Sequence, residues 1–301
     1  MTFSKKWCII IENDNKITEE TNRSTCWLQG KTVVVTGASG GMGAGIAATL
    51  IKKHGCTVIG VARNEKKMLK FVDELGETYA KKFSYELFDV SSKENWEKFA
   101  EELQEKGVKV DVLINNAGIL PKFKRFDRYS YEEIERAMNI NFYSCVYSVK
   151  TMLPMLLQSS TPAIINIDSS AALMTLAGTS MYSASKAALK GFTEALRVEF
   201  QGKMFVGLVC PGFTKTDIFS GQGDADMSNG AKVMDMISTD CDKMVKMIMF
   251  GIEHKTPMQV HGFDAHAMSV FNRLMPVYGS KLFSSIMRMA NVDIFKEVFS
   301  D

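Results

Sequence analysis

The run Thr32-Val33-Val34-Val35-Thr36 leads directly into Gly37-Ala38-Ser39-Gly40-Gly41-Met42-Gly43, and a helix-length stretch continues to about His54. This unit constrains the fold more than any other part of the chain. A short β-branched run without polar alternation reads as a strand buried on both faces. Glycines let the following turn bend tightly and approach a pyrophosphate, and a helix N-terminus favours the negative charge. The spacing Gly37-x-x-x-Gly41-x-Gly43 is T-G-x-x-x-G-x-G rather than G-x-G-x-x-G. Taken alone it suits a merely tight strand–helix turn as well.

The same alternation continues downstream. Strand-like runs occupy residues 57–62, 83–88, 110–115, 163–167 and 204–209, with helix-length amphipathic segments between them. Repeated β-α units predict an α/β fold, a doubly wound parallel sheet of Rossmann type with helices on both faces. No linker or composition break interrupts residues 31–262, which are expected to form one dinucleotide-binding and catalytic domain. Residues 1–30 read as a polar appendage with a short strand at 7–11, and residues 263–301 as a helical extension. The chain of 301 residues is 46% hydrophobic and 23% charged, as in a soluble globular protein. A net charge of +2 gives no sign of a nucleic-acid partner. The six cysteines are scattered and form no C-x-x-C, which suits reduced thiols in a reducing compartment. The early apolar run 7–11 is too short for a signal-peptide core or a membrane span, so a cytoplasmic location is expected.

The end of the second predicted strand bears on cofactor choice. NAD sites usually place an acid roughly 20 residues past the glycines, to bind the ribose 2′-hydroxyl. Here Ala62, Arg63 and Asn64 stand in that neighbourhood. An arginine without an acid suits a 2′-phosphate, which favours NADP(H) over NAD(H). The other reading of Arg63 is a solvated strand end.

Tyr182 and Lys186 are four residues apart in MYSASKAALKGF, so on a helix they share one face. A cation beside a phenol favours the phenolate, and a phenol so placed can pass a proton to or from a substrate oxygen. By itself the pair also fits an ordinary helix surface.

Between these two motifs lie Asp89-Val90, Asn115-Asn116-Ala117-Gly118, Ile140-Asn141-Phe142, Ile164-Ile165-Asn166-Ile167-Asp168-Ser169-Ser170 and Pro211-Gly212-Phe213-Thr214-Lys215-Thr216. Together and in this order they resemble the short-chain dehydrogenase/reductase family from about Lys31 to Gly262. The resemblance implies a catalytic tetrad of Asn141, Ser169, Tyr182 and Lys186. Ser169 would bond the substrate oxygen and Tyr182 would donate its proton to it. Lys186 would stabilise the phenolate and bind the nicotinamide ribose, and Asn141 would hold a water linking Lys186 to solvent. Ser169 is placed by the family's spacing, thirteen residues before Tyr182, with Ser170 as the less favoured neighbour. Cofactor contacts are implied for Gly37, Ser39, Gly41, Met42, Gly43, Arg63, Asn64, Asp89, Val90, Asn116, Ala117, Gly118, Tyr182, Lys186, Pro211, Gly212 and Thr216. No metal is required, and the four histidines form no ligand cluster. Asp168 departs from the family, which has a serine there. Normal strand alternation would point it away from Ser169.

Two stretches exceed the family's minimal core. Residues 217–238 occupy the place of the substrate lid, with glycines for hinge motion and methionines that adapt to apolar shapes, or they form a loop with incidental methionines. In the extension, Leu282, Phe283, Ile286, Met287 and Ala290 make an i, i+3/i+4 face. That face could pack on its own domain or a second subunit, wall the substrate pocket, or touch a membrane surface, packing being favoured. The resulting expectation is an NADP(H)-dependent oxidoreductase for a lipophilic ketone or secondary alcohol, steroid-like or long-chain. The alternatives are a 3-oxoacyl reductase and a non-catalytic NADP-binding regulator. Long helices at 131–157 and 182–200 imply, by the resemblance, a homodimer or homotetramer.

Overall fold

The fold is taken from a computed structural model that describes residues 26–216, Ile218, residues 238–289 and Val298. The expected strand at 7–11 and most of the 217–238 stretch lie outside the described residues.

Seven parallel strands form one sheet in the order β3-β2-β1-β4-β5-β6-β7. They are β1 (Thr32–Thr36), β2 (Thr57–Ala62), β3 (Phe83–Leu87), β4 (Val112–Asn115), β5 (Ala163–Ile167), β6 (Phe205–Pro211) and β7 (Met258–His261). The strand runs read from the sequence agree to within one or two residues at each end. The chain winds one way from β1 to β3 and the other way from β4 to β7. Its reversal leaves a crevice between β1 and β4 at the C-terminal strand ends, where ligands bind in sheets of this kind.

Alternate residues of β1 serve opposite faces. Val33 and Val35 join the core under α1 (Gly41–His54) and α8 (Cys241–Glu253), with Ile46, Leu50, Ile248 and Ile252. Val34 joins the other core, under α4 (Lys93–Glu105), α6 (Ser144–Leu156) and α7 (Ser180–Glu199), with Trp96, Met152 and Leu196. The smaller helices α2 (Glu65–Leu75) and α3 (Glu77–Ala80) lead into β3.

The long helix expected at 131–157 is not uniform. It runs as α5 (Tyr131–Met138), a π-helical turn (Asn139–Tyr143) and then α6. A π turn inside a helix commonly marks a functional position, and this one holds Asn141. The extension forms α9 (Phe263–Leu274) and α10 (Gly279–Met289). Of the apolar face expected there, Phe283 packs inward, whereas Leu282 and Ile286 are 45% and 47% exposed. The face is therefore split, one side meeting the domain and the other meeting solvent. No described helix is long and apolar enough to cross a membrane.

Candidate active site

The glycine turn is shaped for a close ligand. Gly37 sits at φ +67°, and a Cβ there would come within 2.8 Å of the Asn116 amide nitrogen. A Cβ at Gly43 would collide with the Gly37 carbonyl. Gly40 precedes α1 with no side-chain cap, so no side chain takes its first-turn N–H groups. Such a bare helix start behind glycines fits a pyrophosphate. Thr36 ties this turn to the next motif: its hydroxyl accepts from the Asn116 and Ala117 amides, both at 2.9 Å, and its carbonyl accepts from Asn116 Nδ2 at 3.0 Å.

One open cleft of about 1090 Å³ runs from this turn past β2 and β4. Gly37, Ser39, Gly41, Met42, Arg63, Asn64, Asp89, Val90, Asn116, Ala117, Gly118 and Thr216 all line it. Gly43 is buried behind the turn. Lys66 and Lys67, which sequence reasoning passed over, line it too. The signal was present, since both follow Arg63 in the first turn of α2. Asn64 caps that helix, its Oδ1 accepting from Lys67 N at 3.0 Å.

At the inner end, a second cavity gathers Asn116, Gly118, Ser169, Ser170, Tyr182, Lys186, Pro211, Gly212 and Thr216. β5 delivers the serines and α7 delivers the tyrosine and lysine. Ser169 Oγ accepts from Ala171 N at 3.1 Å, which leaves its own proton for another acceptor. Ser170 starts a one-turn 3₁₀ helix (Ser170–Ala172) and faces the same cavity. Lys186 is buried, and its Nζ donates to the Ile167 carbonyl at 3.1 Å and lies 6.0 Å from the Tyr182 ring centre. Tyr182 is half-buried, so its hydroxyl end can meet a ligand.

Asn141 is held from three sides. Its Oδ1 accepts from Ile119 N at 2.8 Å, and its Nδ2 donates to Ile119 O at 3.0 Å and to Ser185 Oγ at 3.1 Å. Ser185 in turn donates to the Tyr182 carbonyl at 2.7 Å. The π turn is thereby locked to both the N-N-A-G loop and α7. A Cβ on Gly118 would stand 3.3 Å from Asn141 Oδ1 and 3.9 Å from Lys186 Nζ. Glycine thus keeps open the gap between these two side chains.

Asp264 is a site residue the sequence reading missed. Buried at the start of α9, it accepts from Phe213 N at 2.7 Å, and a Cβ on Gly212 would strike its carboxyl. It clamps the Pro211-Gly212 loop. Burial raises its carboxyl, with the Phe213 amide pulling the other way. An acid two residues past Gly262 is a faint signal, because helix starts often carry one for capping alone. Asp168 is buried without a hydrogen-bond partner. Burial pushes its carboxyl up to about 8. Lys186 and the Ser169 amide oppose this, the amide without normal hydrogen-bond geometry.

Beyond Ser169 and Tyr182 the wall is apolar: Leu120, Phe123, Leu176, Phe213, Ile218 and Met268. Met174, Phe283 and Val298 pack behind it. A glycine cradle at the switch point of the sheet thus stands beside a cavity that gathers Ser169, Tyr182 and Lys186, with Asn141 close behind Gly118.

A family profile described as short chain dehydrogenase matches residues 31–226. The chain belongs to the short-chain dehydrogenase family. It is 32% identical over 193 residues to 11-beta-hydroxysteroid dehydrogenase A of Sesamum indicum, covering 64% of this chain and 55% of that protein. It is 35% identical over 187 residues to ketoacyl reductase HetN of a Nostoc strain, covering 62% of this chain and 64% of that one. The chain thus aligns with less than two thirds of either relative. Among solved structures, a short-chain dehydrogenase from Streptomyces avermitilis superposes with a TM-score of 0.70 at 25% identity, covering 86% of this chain and 97% of that one.

Proposed function

We propose that the protein is an NADP(H)-dependent oxidoreductase that interconverts a ketone and a secondary alcohol on a lipophilic substrate, steroid-like or long-chain. The observation that carries this reading is the apolar wall of Leu120, Phe123, Leu176, Phe213 and Met268 facing Ser169, Tyr182 and Lys186. Gly37, Ser39, Gly41 and Met42 of the glycine turn would hold a nicotinamide dinucleotide, which would supply or accept the hydride. Ser169 donates a hydrogen bond to the substrate oxygen and fixes its position. Tyr182 gives that oxygen its proton in reduction and takes it back in oxidation. The Lys186 ammonium, anchored on Ile167, stabilises the phenolate through space. Asn141 holds a water between Lys186 and solvent, and a proton passed along that path restores the one that Tyr182 gives away.

Arg63, with Lys66 and Lys67 beside it and no acid at the strand end, favours a 2′-phosphate. The second reading, a 3-oxoacyl reductase, draws on the likeness to the Nostoc ketoacyl reductase. A regulator without turnover has less support, since the sequence carries all four residues of the expected tetrad, Asn141, Ser169, Tyr182 and Lys186. The test is a spectrophotometric screen of steroid and long-chain ketones, 3-oxoacyl thioesters and the matching alcohols, with NADPH and NADH. Turnover of thioesters alone would select the second reading, and no turnover with any class would remove both.

A further inference from the structure

Asp168 is a buried acid at the site that the proposed mechanism leaves unused. It lies between Ile167, whose carbonyl holds Lys186, and Ser169. Its backbone is fixed, with its N–H donating to Val209 O at 2.7 Å. Strand alternation puts its side chain on the face of Asn166, whose amide donates to Thr193 of α7 at 2.8 Å. It is 4% exposed, borders the substrate cavity, and neither carboxyl oxygen has a hydrogen-bond partner.

The charged and titratable groups around it are Lys186, Lys190 and Glu194 of α7, Cys145 of α6 and Cys210 of β6. Lys190 and Glu194 pair with each other at 2.9 Å, so their fields largely cancel. Burial pushes both thiols up, which keeps them neutral in the working range. Lys186 is left as the net charge facing Asp168. A carboxylate buried without donors is far costlier than the neutral acid, and burial holds this one protonated up to about pH 8.

We propose that Asp168 is a positioning residue that sets how strongly Lys186 acts on Tyr182. As the neutral acid it leaves the ammonium's field on the phenol undivided. Once its proton is lost to solvent, the carboxylate draws that field onto itself and the phenolate is disfavoured. No substrate bond forms or breaks in this change. The inference rests on the proposed roles of Lys186 and Tyr182.

Two measurements test it. In alcohol oxidation, the rates of Asp168→Asn and Asp168→Ser relative to the parent should climb as pH rises through about 8. The expected gain is about tenfold, the effect of one unit of linked protonation. Parallel profiles, or variants slower by one factor at every pH, would overturn the proposal. The second measurement is an infrared pH titration of the whole protein, which needs no substrate. A carboxylic-acid band present at neutral pH, absent from Asp168→Asn and lost near pH 8, is the expected result. A carboxylate already formed at pH 6 would overturn the proposal even if the ketone–alcohol reading stood. The infrared result holds its meaning if that reading fails.

Discussion

Arg63 Nη1 lies 3.3 Å from Asp89 Oδ2, and the pair spans the outer end of the cofactor cleft. Both side chains are about half exposed, so the contact adds little to stability and the guanidinium can be traded to a better anion. Burial alone would raise the Asp89 carboxyl. The Ser91 amide and hydroxyl, with Arg63, outweigh it and hold the group below its ordinary range. Asp89 therefore remains an anion that keeps Arg63 at the strand end.

Arg63→Ala should weaken NADP(H) binding by about 1.5–3 kcal/mol, the scale of a hydrogen bond to a charged group. NAD(H) binding should change much less. Fluorescence titration of both nucleotides against parent and variant checks this. Equal parent affinities for the two would remove the basis for the NADP(H) preference.

If Tyr182 is the proton donor, Tyr182→Phe takes the donor away while leaving the ring in place, 6.0 Å from Lys186 Nζ. kcat should fall by at least about 100-fold, the low end for general acid–base catalysis. Nucleotide binding should survive, as measured by the same titration. A variant that keeps most of its turnover would assign the proton to another group.

How much of this was legible in the sequence depended on how local each signal was. The glycine turn, β1 and α1 are one contiguous stretch, so spacing marked the strand–turn–helix unit, and the ordered motifs downstream pointed to a cofactor cradle rather than a merely tight turn. Tyr182 and Lys186 share a helix, and one turn of geometry joined them. Asn141 was found through the family's motif, but its grip on Ile119 and Ser185 spans 22 and 44 residues of sequence, and no periodicity encodes it. The clamp of Asp264 on Phe213 likewise depends on β7 and α9 folding back beside β6. The apolar face of α10 was visible as a pattern. Its division between the chamber and solvent was not, because periodicity gives a face and not what covers it.

Asp168 also makes a prediction about stability. Its folded value is raised from 3.8 to about 8, so between those pH values the folded state holds a proton that the unfolded chain has lost. By linkage, the contribution of Asp168 is fully present below about pH 4 and is lost as pH rises toward 8. Asp168→Asn does not titrate. Its stability advantage over the parent should therefore grow from pH 5 to pH 8 in urea unfolding. An advantage that stayed flat over this range would place the carboxylate in a better-solvated setting.

Association should leave a mass of two or four chains in light scattering at micromolar concentration. Tyr143, Leu157 and Val198 are 41%, 45% and 74% exposed on the π turn, just past α6 and on α7, and a partner's helices would cover such a surface. Charges there should split the assembly, so Tyr143→Glu combined with Val198→Glu is expected to run as a monomer. A parent already monomeric would show that these helices stay open to solvent.

The extension after β7 makes a divided prediction, because its helices meet two environments. Met268 of α9 lines the substrate chamber, Phe283 of α10 packs behind it, and the Ser284 hydroxyl accepts from the Ala177 amide at 3.4 Å. Truncation after Gly279 removes Phe283 and Val298 from that wall. KM for bulky apolar substrates should rise far more than KM for small ketones, while NADPH affinity, set across the sheet at the glycine turn, holds. A uniform loss of stability without dependence on substrate size would mean that the extension packs the fold and does not shape the chamber. On its outer side Leu274, Leu282 and Ile286 are exposed alongside Arg273 and Lys281. If that side meets anionic lipid, intact protein should sediment with phosphatidylserine vesicles and the truncated form should not. If it meets a second subunit, truncation should instead lower the mass seen by light scattering. Vesicle binding lost with KM untouched would move the extension's role from the pocket to the membrane surface.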